Sequence, residues 1–281
     1  MPSKSNIKIF VAYHKKSPII KTECLIPIQV GRALSKEKLD MIGDDTGDNI
    51  SIKNSNYCEL TALYWMWKNV EADYYGLFHY RRLFDFKNSG KLFFSNFSRK
   101  TCNKFGWNDK EIREYCENYD VVSAPISDIH PPGEPNKIIS AYELYEISHN
   151  VLDLNKTIEI IKDKYPTFLD STEEYLNQNK SSYFNMMIMK KEVFSDYCEW
   201  LFSILFELER QIPVSSNAYQ ARVFGFIGER LLNIYINQLK KEKNYKIKEV
   251  INIVESNLKK ENKNSLLYDV KMFLLNKDRR W

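Results

Sequence analysis

The stretch Ile42–Phe84 is IGDDTGDNISIKNSNYCELTALYWMWKNVEADYYGLFHYRRLF, and it joins an acidic loop, an aromatic helix and a strand that ends in a basic cluster. The loop GDDTGDN contributes three carboxylates, those of Asp44, Asp45 and Asp48. Asp, Asn and Gly favour turns and helix N-caps on local hydrogen-bonding grounds alone. The loop is therefore either a turn that leads into the helix or a group of carboxylates that faces a ligand. A calcium-binding loop would need a longer ligand spacing.

A basic cluster follows the apolar run Tyr74–Phe78 (YYGLF), which has the composition of a buried strand. The cluster consists of His79, Tyr80, Arg81 and Arg82. Arginine forks match the paired oxygens of a diphosphate, and the carboxyl end of a buried strand is where α/β folds bind ligands. We expect the three aspartates to approach this cluster, so that both groups surround a polyanionic substrate. The alternative is that Arg81 pairs with a carboxylate as a structural buttress.

The first strand is predicted at Ile7–Ala12 (IKIFVA), a short apolar and β-branched run. Tyr13, His14 and Lys15 follow it directly. Polar residues at the carboxyl end of the first strand occupy the place where doubly wound α/β folds bind nucleotides. These three residues are therefore candidate donor contacts, and a surface turn is the alternative.

Later segments alternate between apolar strands and amphipathic helices, which predicts an α/β fold. After a loop with short elements over residues 21–54, the predicted elements include a helix at Asp109–Asn118, a strand at Asp120–Ala124, a helix at Tyr142–Tyr165 with His149 inside it, a strand at Ser182–Met189, a helix at Val193–Arg210 and a strand at Tyr245–Val254. Another helix starts near Gly225 and Gly228, so Glu229 and Arg230 are expected near its first turn. A carboxylate there either caps the helix or faces a crevice as a base. Without a repeat or a linker, residues 1–281 are predicted to form one domain.

Composition argues against several classes of protein. The 281 residues are 43% hydrophobic and 28% charged, which is typical of a globular chain. Five cysteines without a CxxC spacing give no support to a zinc ribbon or a secreted disulfide scaffold. No apolar run reaches the roughly 18 residues of a membrane span, and the N-terminus does not resemble a signal peptide, so we expect a cytoplasmic protein. The pI of about 8.6 is mild and the basic excess lies at one end, so nucleic acid is not an expected partner.

Several phrases, taken in order along most of the chain, resemble a bacterial family. They are IPIQVGRALS, IGDDTGDNIS, NYCELTALYWMWKN, DYYGLFHYRRLF, FNMMIMKKEVFSDYCEWLF and GFIGERLL. The family was long labelled as a domain of unknown function, and its members occur among proteins of capsular, exopolysaccharide and O-antigen biosynthesis. The resemblance implies a sugar-nucleotide-dependent glycosyltransferase that transfers a hexose, and some relatives are regarded as inverting galactofuranosyltransferases.

The order of these segments also looks like the glycosyltransferase-A plan, which implies a single α/β domain with a mixed, mainly parallel sheet flanked by helices. In that plan the strand Tyr74–Phe78 would lead into an Asp-x-Asp metal motif, and here the position holds His79, Tyr80 and Arg81. We therefore expect cationic side chains to hold the diphosphate and metal dependence to be weak or absent. Mn or Mg remains a candidate cofactor, because carboxylate oxygens suit these ions. Its ligands would come from the acidic loop, from Asp44, Asp45 and Asp48.

The same resemblance implies roles for individual residues. GFIGER falls where such enzymes often place their base, which makes Glu229 the candidate base. Apart from the resemblance, Asp44 and Asp45 are further candidate catalytic residues, as sugar or metal contacts. FNMMIM resembles the strand that lines the acceptor side, so its Asn185 is a candidate acceptor contact. Arg230, which follows Glu229 in GFIGER, is a second candidate acceptor contact. The expected partners are a UDP-sugar and a glycan acceptor, implied to be lipid-linked. A non-catalytic carbohydrate-binding or assembly protein is the alternative, and it would explain the many aromatic residues but not HYRR.

The segment 265–281, SLLYDVKMFLLNKDRRW, is predicted to be an amphipathic helix that docks the protein on the inner membrane face. Its apolar face comprises Leu266, Leu267, Val270, Phe273 and Leu274, and nearby lie Lys271, Lys277, Arg279, Arg280 and Trp281. Each basic residue near anionic lipid contributes on the order of 1 kcal/mol, so reversible attachment is expected. The alternative is a terminal helix that packs on the domain.

Co-sedimentation with liposomes separates these two interpretations. The full-length protein should pellet with anionic but not with neutral vesicles, and a chain that ends at Asn264 should stay in the supernatant. Equal pelleting of the two chains would assign the segment to packing on the domain.

Overall fold

A ten-stranded mixed sheet forms the centre of the computed structural model, which describes residues 5–256. Its strands are Ile7–Tyr13 (β1), Leu25–Gln29 (β2), Ile42–Gly43 (β3), Tyr74–His79 (β4), Arg82–Phe84 (β5), Phe93–Phe94 (β6), Val121–Ser123 (β7), Met187–Lys190 (β10), Ile247–Glu249 (β11) and Asn252–Glu255 (β12). A separate pair is formed by Ser127–Asp128 (β8) and Lys180–Ser181 (β9).

The helices pack on both faces of this sheet. They are Asn54–Tyr57 (α1), Leu60–Asn69 (α2), Arg99–Phe105 (α3), Asp109–Cys116 (α4), Ala141–Ser148 (α5), Val151–Lys164 (α6), Leu169–Asn177 (α7), Lys191–Gln211 (α8) and Val223–Glu242 (α9). Short 3₁₀ turns lie at Ser51–Lys53, Pro166–Phe168 and Gln220–Arg222.

The order of the main strands is β11-β7-β10-β4-β1-β2-β3. Strands β4, β1, β2 and β3 run parallel, and β10 is antiparallel to β4. In register, Ala12 lies beside His79, and Met187 lies beside Leu77. The carboxyl ends of β1 and β4 therefore share one edge of the sheet with the residues that precede β10. This shared edge positions the candidate site.

Strand β1 shows how the core divides into two layers. Phe10 and Ala12 belong to one hydrophobic cluster, which contains residues of α2, α8 and α9. Ile9 and Val11 belong to the other, which contains residues of α3 and α4. Successive side chains of a strand point to opposite faces, so an uninterrupted apolar run is buried on both sides. The predicted first strand is therefore confirmed, and it ends one residue later, at Tyr13.

The predicted helix Tyr142–Tyr165 is wrong as a single element, because it is two helices, α5 and α6. His149 lies at the break with an extended backbone. Asn150 follows as the N-cap of α6, and its side chain accepts a hydrogen bond from the N–H of Leu152. Asparagine competes with the helix for backbone hydrogen bonds, which explains why the periodic pattern is interrupted here.

Three other segments differ from the prediction. Residues 25–29 form the parallel strand β2, although the sequence predicts loop and short elements there. The expected strand Ser182–Met189 begins only at Met187, because Phe184 has a φ of 74° that does not fit an extended strand. The expected strand Tyr245–Val254 is split into β11, which pairs with β7, and β12, which pairs with β5 and β6.

Within residues 5–256, no helix combines the length and the apolar character needed to cross a membrane. The predicted amphipathic segment 265–281 lies outside the described residues. The division of the chain into one domain over residues 1–281 stays a prediction.

Candidate functional site

A cleft of about 720 Å³ opens at the shared edge of the sheet. The ends of β1 and β4 line it, with the segment before β10, the start of α1, the junction of α1 and α2, and the first turns of α9. One wall thus comes from the sheet and the other from the helices. Clefts of this size at the carboxyl ends of parallel strands are the usual binding sites of α/β proteins.

The sheet wall carries the basic cluster. His14, His79, Arg81 and Arg82 all line the cleft, as the sequence predicts. The rings of His14 and His79 lie 6.3 Å apart, and the guanidinium of Arg82 lies 4.1 Å from the ring centre of Phe184. The Nε of Arg81 is buried without a hydrogen-bond partner. A buried donor without an acceptor is a costly arrangement.

The histidines of this wall do not add to its charge at neutral pH. Burial, with the charges of Arg82 and Arg81, holds the pKa of His79 well below its usual value. His14 is exposed, but partial desolvation of its ring and the charges of Arg81 and Lys15 lower its pKa. Because both shifts favour the neutral imidazole, the positive charge of the wall resides on the two arginines.

The helical wall carries two carboxylates, those of Glu59 and Glu229. Asn185, in the segment before β10, donates from its Nδ2 to Oε1 of Glu59 at 2.8 Å. Glu229 is only 8% exposed, and its Oε2 accepts from Nη1 of Arg230 at 3.1 Å. The predicted acceptor contact Asn185 therefore lies in the same cleft as the predicted base.

Burial raises the pKa of Glu229 to about 7. The neighbouring charge of Glu59 adds to the rise, whereas Arg230, Arg222 and Arg82 oppose it. A carboxylate with a pKa close to the working pH takes up and releases protons readily, which is the property of a general base. Glu229 lies in the second turn of α9, one turn later than the sequence indicates, because the helix begins at Val223.

Arg222 and Glu59 were not selected from the sequence, although both line the cleft. Arg222, Phe226 and Glu229 follow an i, i+4, i+7 spacing, which places them on one face at the start of α9. From the sequence, this spacing relative to Glu229 would have identified Arg222 as a candidate site residue. No sequence pattern identifies Glu59 as a site residue. It reaches the cleft because Cys58, with a φ of 53°, changes the direction of the chain between α1 and α2, and such a backbone conformation is not predictable from the sequence.

Other predicted donor contacts lie outside the wall of the cleft. Tyr13 is fully buried, and its hydroxyl donates to the carbonyl of Pro18 and accepts from the N–H of Ile20. Tyr80 is also buried and stacks on Tyr13 at 5.4 Å. Lys15 is exposed beside the cleft. The two tyrosines are therefore packing residues that support the ends of β1 and β4.

The expected role of Arg230 as an acceptor contact is corrected by its position. Arg230 is only 4% exposed and does not line the cleft, and its Nη1 donates to Glu229 and to the carbonyl of Phe226. Burial of a charged pair is tolerated when each charge is satisfied by the other. Arg230 therefore holds the carboxylate of Glu229 in place.

Asp44 has a structural role and not the expected catalytic one. It is 0% exposed and outside the cleft, and its two oxygens accept four hydrogen bonds. The donors are the N–H groups of Gly31 and Arg32 and the hydroxyls of Ser51 and Thr61. A carboxylate has about four lone-pair sites, so this set occupies all of them. Asp44 joins the turn after β2 to the start of the helical layer.

The other two loop carboxylates are also occupied away from the cleft. Asp45 forms ion pairs with Arg32 at 3.2 Å and with Lys38 at 3.6 Å. Asp48 accepts a hydrogen bond from the hydroxyl of Tyr64 at 3.0 Å. The expected approach of these aspartates to the basic cluster is therefore wrong.

The acidic loop does not fit an Mn or Mg ion in this arrangement. The lone pairs of Asp44 are taken by four donors, and Asp45 is turned toward two cations. Across residues 5–256, no group of three or more His, Cys, Asp or Glu side chains is placed to hold a metal ion. Metal dependence itself stays a prediction.

Residues 8–242 match the domain of unknown function DUF4422. The chain belongs to the DUF4422 family. No curated protein matches it.

This DUF4422 chain is also similar to a solved structure, the bifunctional glycosyltransferase WbbM in its apo form. The two share 36% sequence identity with a TM-score of 0.82, over 89% of this chain and 45% of the other. The chain therefore spans less than half the length of that protein. The comparison confirms the predicted fold class, a mixed, mainly parallel sheet flanked by helices with a glycosyltransferase-A-like arrangement.

If Asp44 has a structural role, its replacement should lower the free energy of unfolding of the protein. Asp44→Ala leaves several buried donors without an acceptor, and each such group costs about 1–3 kcal/mol. We expect the free energy of unfolding in urea to fall by about 3–5 kcal/mol. Asp45→Ala is the control, because its partly exposed ion pairs contribute less than about 1 kcal/mol. Unchanged stability of Asp44→Ala with loss of turnover would return Asp44 to the catalytic residues.

Proposed function

We propose that this DUF4422 protein is an inverting glycosyltransferase that transfers a hexose from a nucleoside-diphosphate sugar to a hydroxyl of a glycan. The observation that carries the proposal is the pairing, in one cleft, of a buried carboxylate of pKa about 7 with two arginines. Similarity to a bifunctional glycosyltransferase supports it. A base and a set of anion-stabilising cations are the two components that this reaction needs.

In the proposed reaction, Glu229 removes the proton of the acceptor hydroxyl. The hydroxyl oxygen forms a bond to the anomeric carbon, while the bond from that carbon to the diphosphate oxygen breaks. The electron pair leaves with the diphosphate, whose charge Arg81 and Arg82 stabilise. Attack and departure on opposite faces of the sugar invert the anomeric centre. Fixed cations in a cleft act strongly on developing charge because they need no reorganisation.

The finer assignment rests on the sequence resemblance. It favours UDP as the nucleotide, galactofuranose as a candidate sugar, and a lipid-linked acceptor in capsule, exopolysaccharide or O-antigen synthesis. We propose a cytoplasmic enzyme with peripheral attachment to the inner membrane face through residues 265–281, in keeping with that acceptor.

A non-catalytic carbohydrate-binding protein is the second candidate. Phe184 and Phe226 line the cleft, and aromatic rings are suitable surfaces for sugar rings. Such a protein would have no use for a buried carboxylate whose charge is disfavoured and whose partner is a buried arginine. The site therefore favours the enzyme.

Arg81 is expected to be required for donor binding. Arg81→Ala removes a charge-assisted contact to the diphosphate, which contributes about 1.5–3 kcal/mol, so UDP affinity should fall by about tenfold to a hundredfold. Calorimetric titration with UDP measures this change. Arg99→Ala, at an exposed position on α3, is the matched control and should bind as the wild type does. Equal affinity of both variants would remove Arg81 from the donor site.

Glu229 is expected to be required for turnover but not for donor binding. Glu229→Gln keeps the shape of the side chain but cannot take up the proton, so turnover of a UDP-sugar should fall at least about a hundredfold. In the wild type, kcat/KM should rise with pH through about 7, because Glu229 must be ionised to act as a base. Glu192→Gln, at an exposed position on α8, is the control.

If Glu229→Gln has a lower melting temperature but nearly wild-type turnover, Glu229 is only the partner of Arg230. The proposal would then need another base in the same cleft, and Glu59 is the remaining carboxylate that lines it.

A further inference from the structure

Arg222 has an unusual hydrogen-bond partner for an arginine in a cleft with two carboxylates. Its exposed side chain donates from Nε to the Sγ of Cys58 at 3.2 Å, and the guanidinium lies 5.3 Å from the ring centre of Phe226. A thiol is a weak acceptor. Among residues 5–256, no carboxylate forms an ion pair with Arg222. The side chain is therefore held weakly at the cleft.

Arg230, also near the start of α9, has a structural role and provides a comparison for Arg222. Arg230 is buried, and it donates to the carboxylate of Glu229 and to the carbonyl of Phe226. Arg222 lies two turns earlier, and its Nη groups do not form such contacts within the described residues. Its paired N–H groups are therefore available to a ligand in the cleft.

The charge of Arg222 acts on residues of both walls of the cleft. Its charge lowers the pKa of His14 and of His79 on the sheet wall. The same charge lowers the pKa of Glu229 on the helical wall. Arg222 also lines the same cleft as His14, His79 and Glu229. In the proposed reaction, the bond that breaks would lie between these two walls.

We propose that Arg222 is a diphosphate-binding residue, which moves from the Sγ of Cys58 to the donor and, with Arg81, holds the diphosphate from both walls of the cleft. The inference rests on the proposed function and adds to it a cation that the helices supply. A guanidinium exchanges a weak thiol contact for paired charge-assisted bonds to phosphate oxygens, which are among the strongest in proteins. Two cations from separate walls match the two phosphate groups of a diphosphate.

This arrangement predicts discrimination by the number of phosphates. A ligand with two linked phosphates reaches both Arg81 and Arg222, whereas inorganic phosphate reaches only one of them. Wild-type protein should therefore bind pyrophosphate and UDP more tightly than phosphate, and loss of Arg222 should reduce that preference.

Calorimetric titration of the full chain with UDP, pyrophosphate and phosphate tests the inference. Arg222→Gln should weaken UDP and pyrophosphate about tenfold to a hundredfold and phosphate much less, and Arg222→Lys should recover part of the loss. Cys58→Ala removes the thiol contact, so it should bind pyrophosphate as tightly as the wild type or more tightly. Arg210→Gln, at an exposed position on α8, controls for the change in net charge.

Each other outcome overturns the inference. Wild-type affinity of Arg222→Gln for pyrophosphate, or weak binding by Cys58→Ala, would make Arg222 a structural partner of Cys58. Weakening by Arg81→Ala but not by Arg222→Gln would leave the proposed function intact and reject only the role of Arg222. A wild-type protein that binds neither UDP nor pyrophosphate would reject both.

Discussion

The parallel pairing of β1 with β4 is the interaction on which the rest of this structure depends. It sets Ala12 beside His79, so that the residues after each strand emerge at the same edge of the sheet. The antiparallel strand β10 then brings Asn185 to this edge from the other direction, because Met187 lies beside Leu77. A shift of one residue in the register of β1 and β4 would turn His79 to the opposite face of the sheet. The register of the strands therefore determines where the cleft lies and which side chains line it.

The chemistry of the cleft arises from a competition between burial and charge. Burial alone would favour a neutral Glu229, and the nearby Glu59 acts in the same direction. Arg230, Arg222 and Arg82 favour the carboxylate, and the result is a pKa of about 7. Because burial and the nearby positive charges act on Glu229 in opposite directions, a change in either one shifts its pKa. If Arg222 turns toward a diphosphate, Glu229 loses part of the positive charge near it and becomes a stronger base when the donor is present.

Sequence patterns predict those parts of the molecule that depend on local composition. The apolar runs of β1 and β4, the basic cluster after β4 and the long helix α8 are recognisable because each is continuous in the chain. The aspartates of the loop were misassigned, because a carboxylate that accepts backbone hydrogen bonds and one that binds a ligand occur in the same sequence context. Only the tertiary position of Ser51 and Thr61 shows that Asp44 is a structural acceptor. Glu59 is not predictable from the sequence for a related reason, since a single residue with a positive φ, Cys58, directs it to the cleft.

The sheet order also has a consequence for how the chain acquires its structure during synthesis. Neighbouring strands in its centre come from distant parts of the sequence, since β1 pairs with β4, β4 with β10, β10 with β7, and β7 with β11. Long loops must therefore close before these pairs contribute stability, which slows folding of sheets with such high contact order. The ribosome has to release β10 and α9 before both walls of the cleft exist, and until then β1 and β4 expose apolar surface. Nascent chains of this kind are subject to aggregation, and they depend on protection by chaperones more than small helical proteins do.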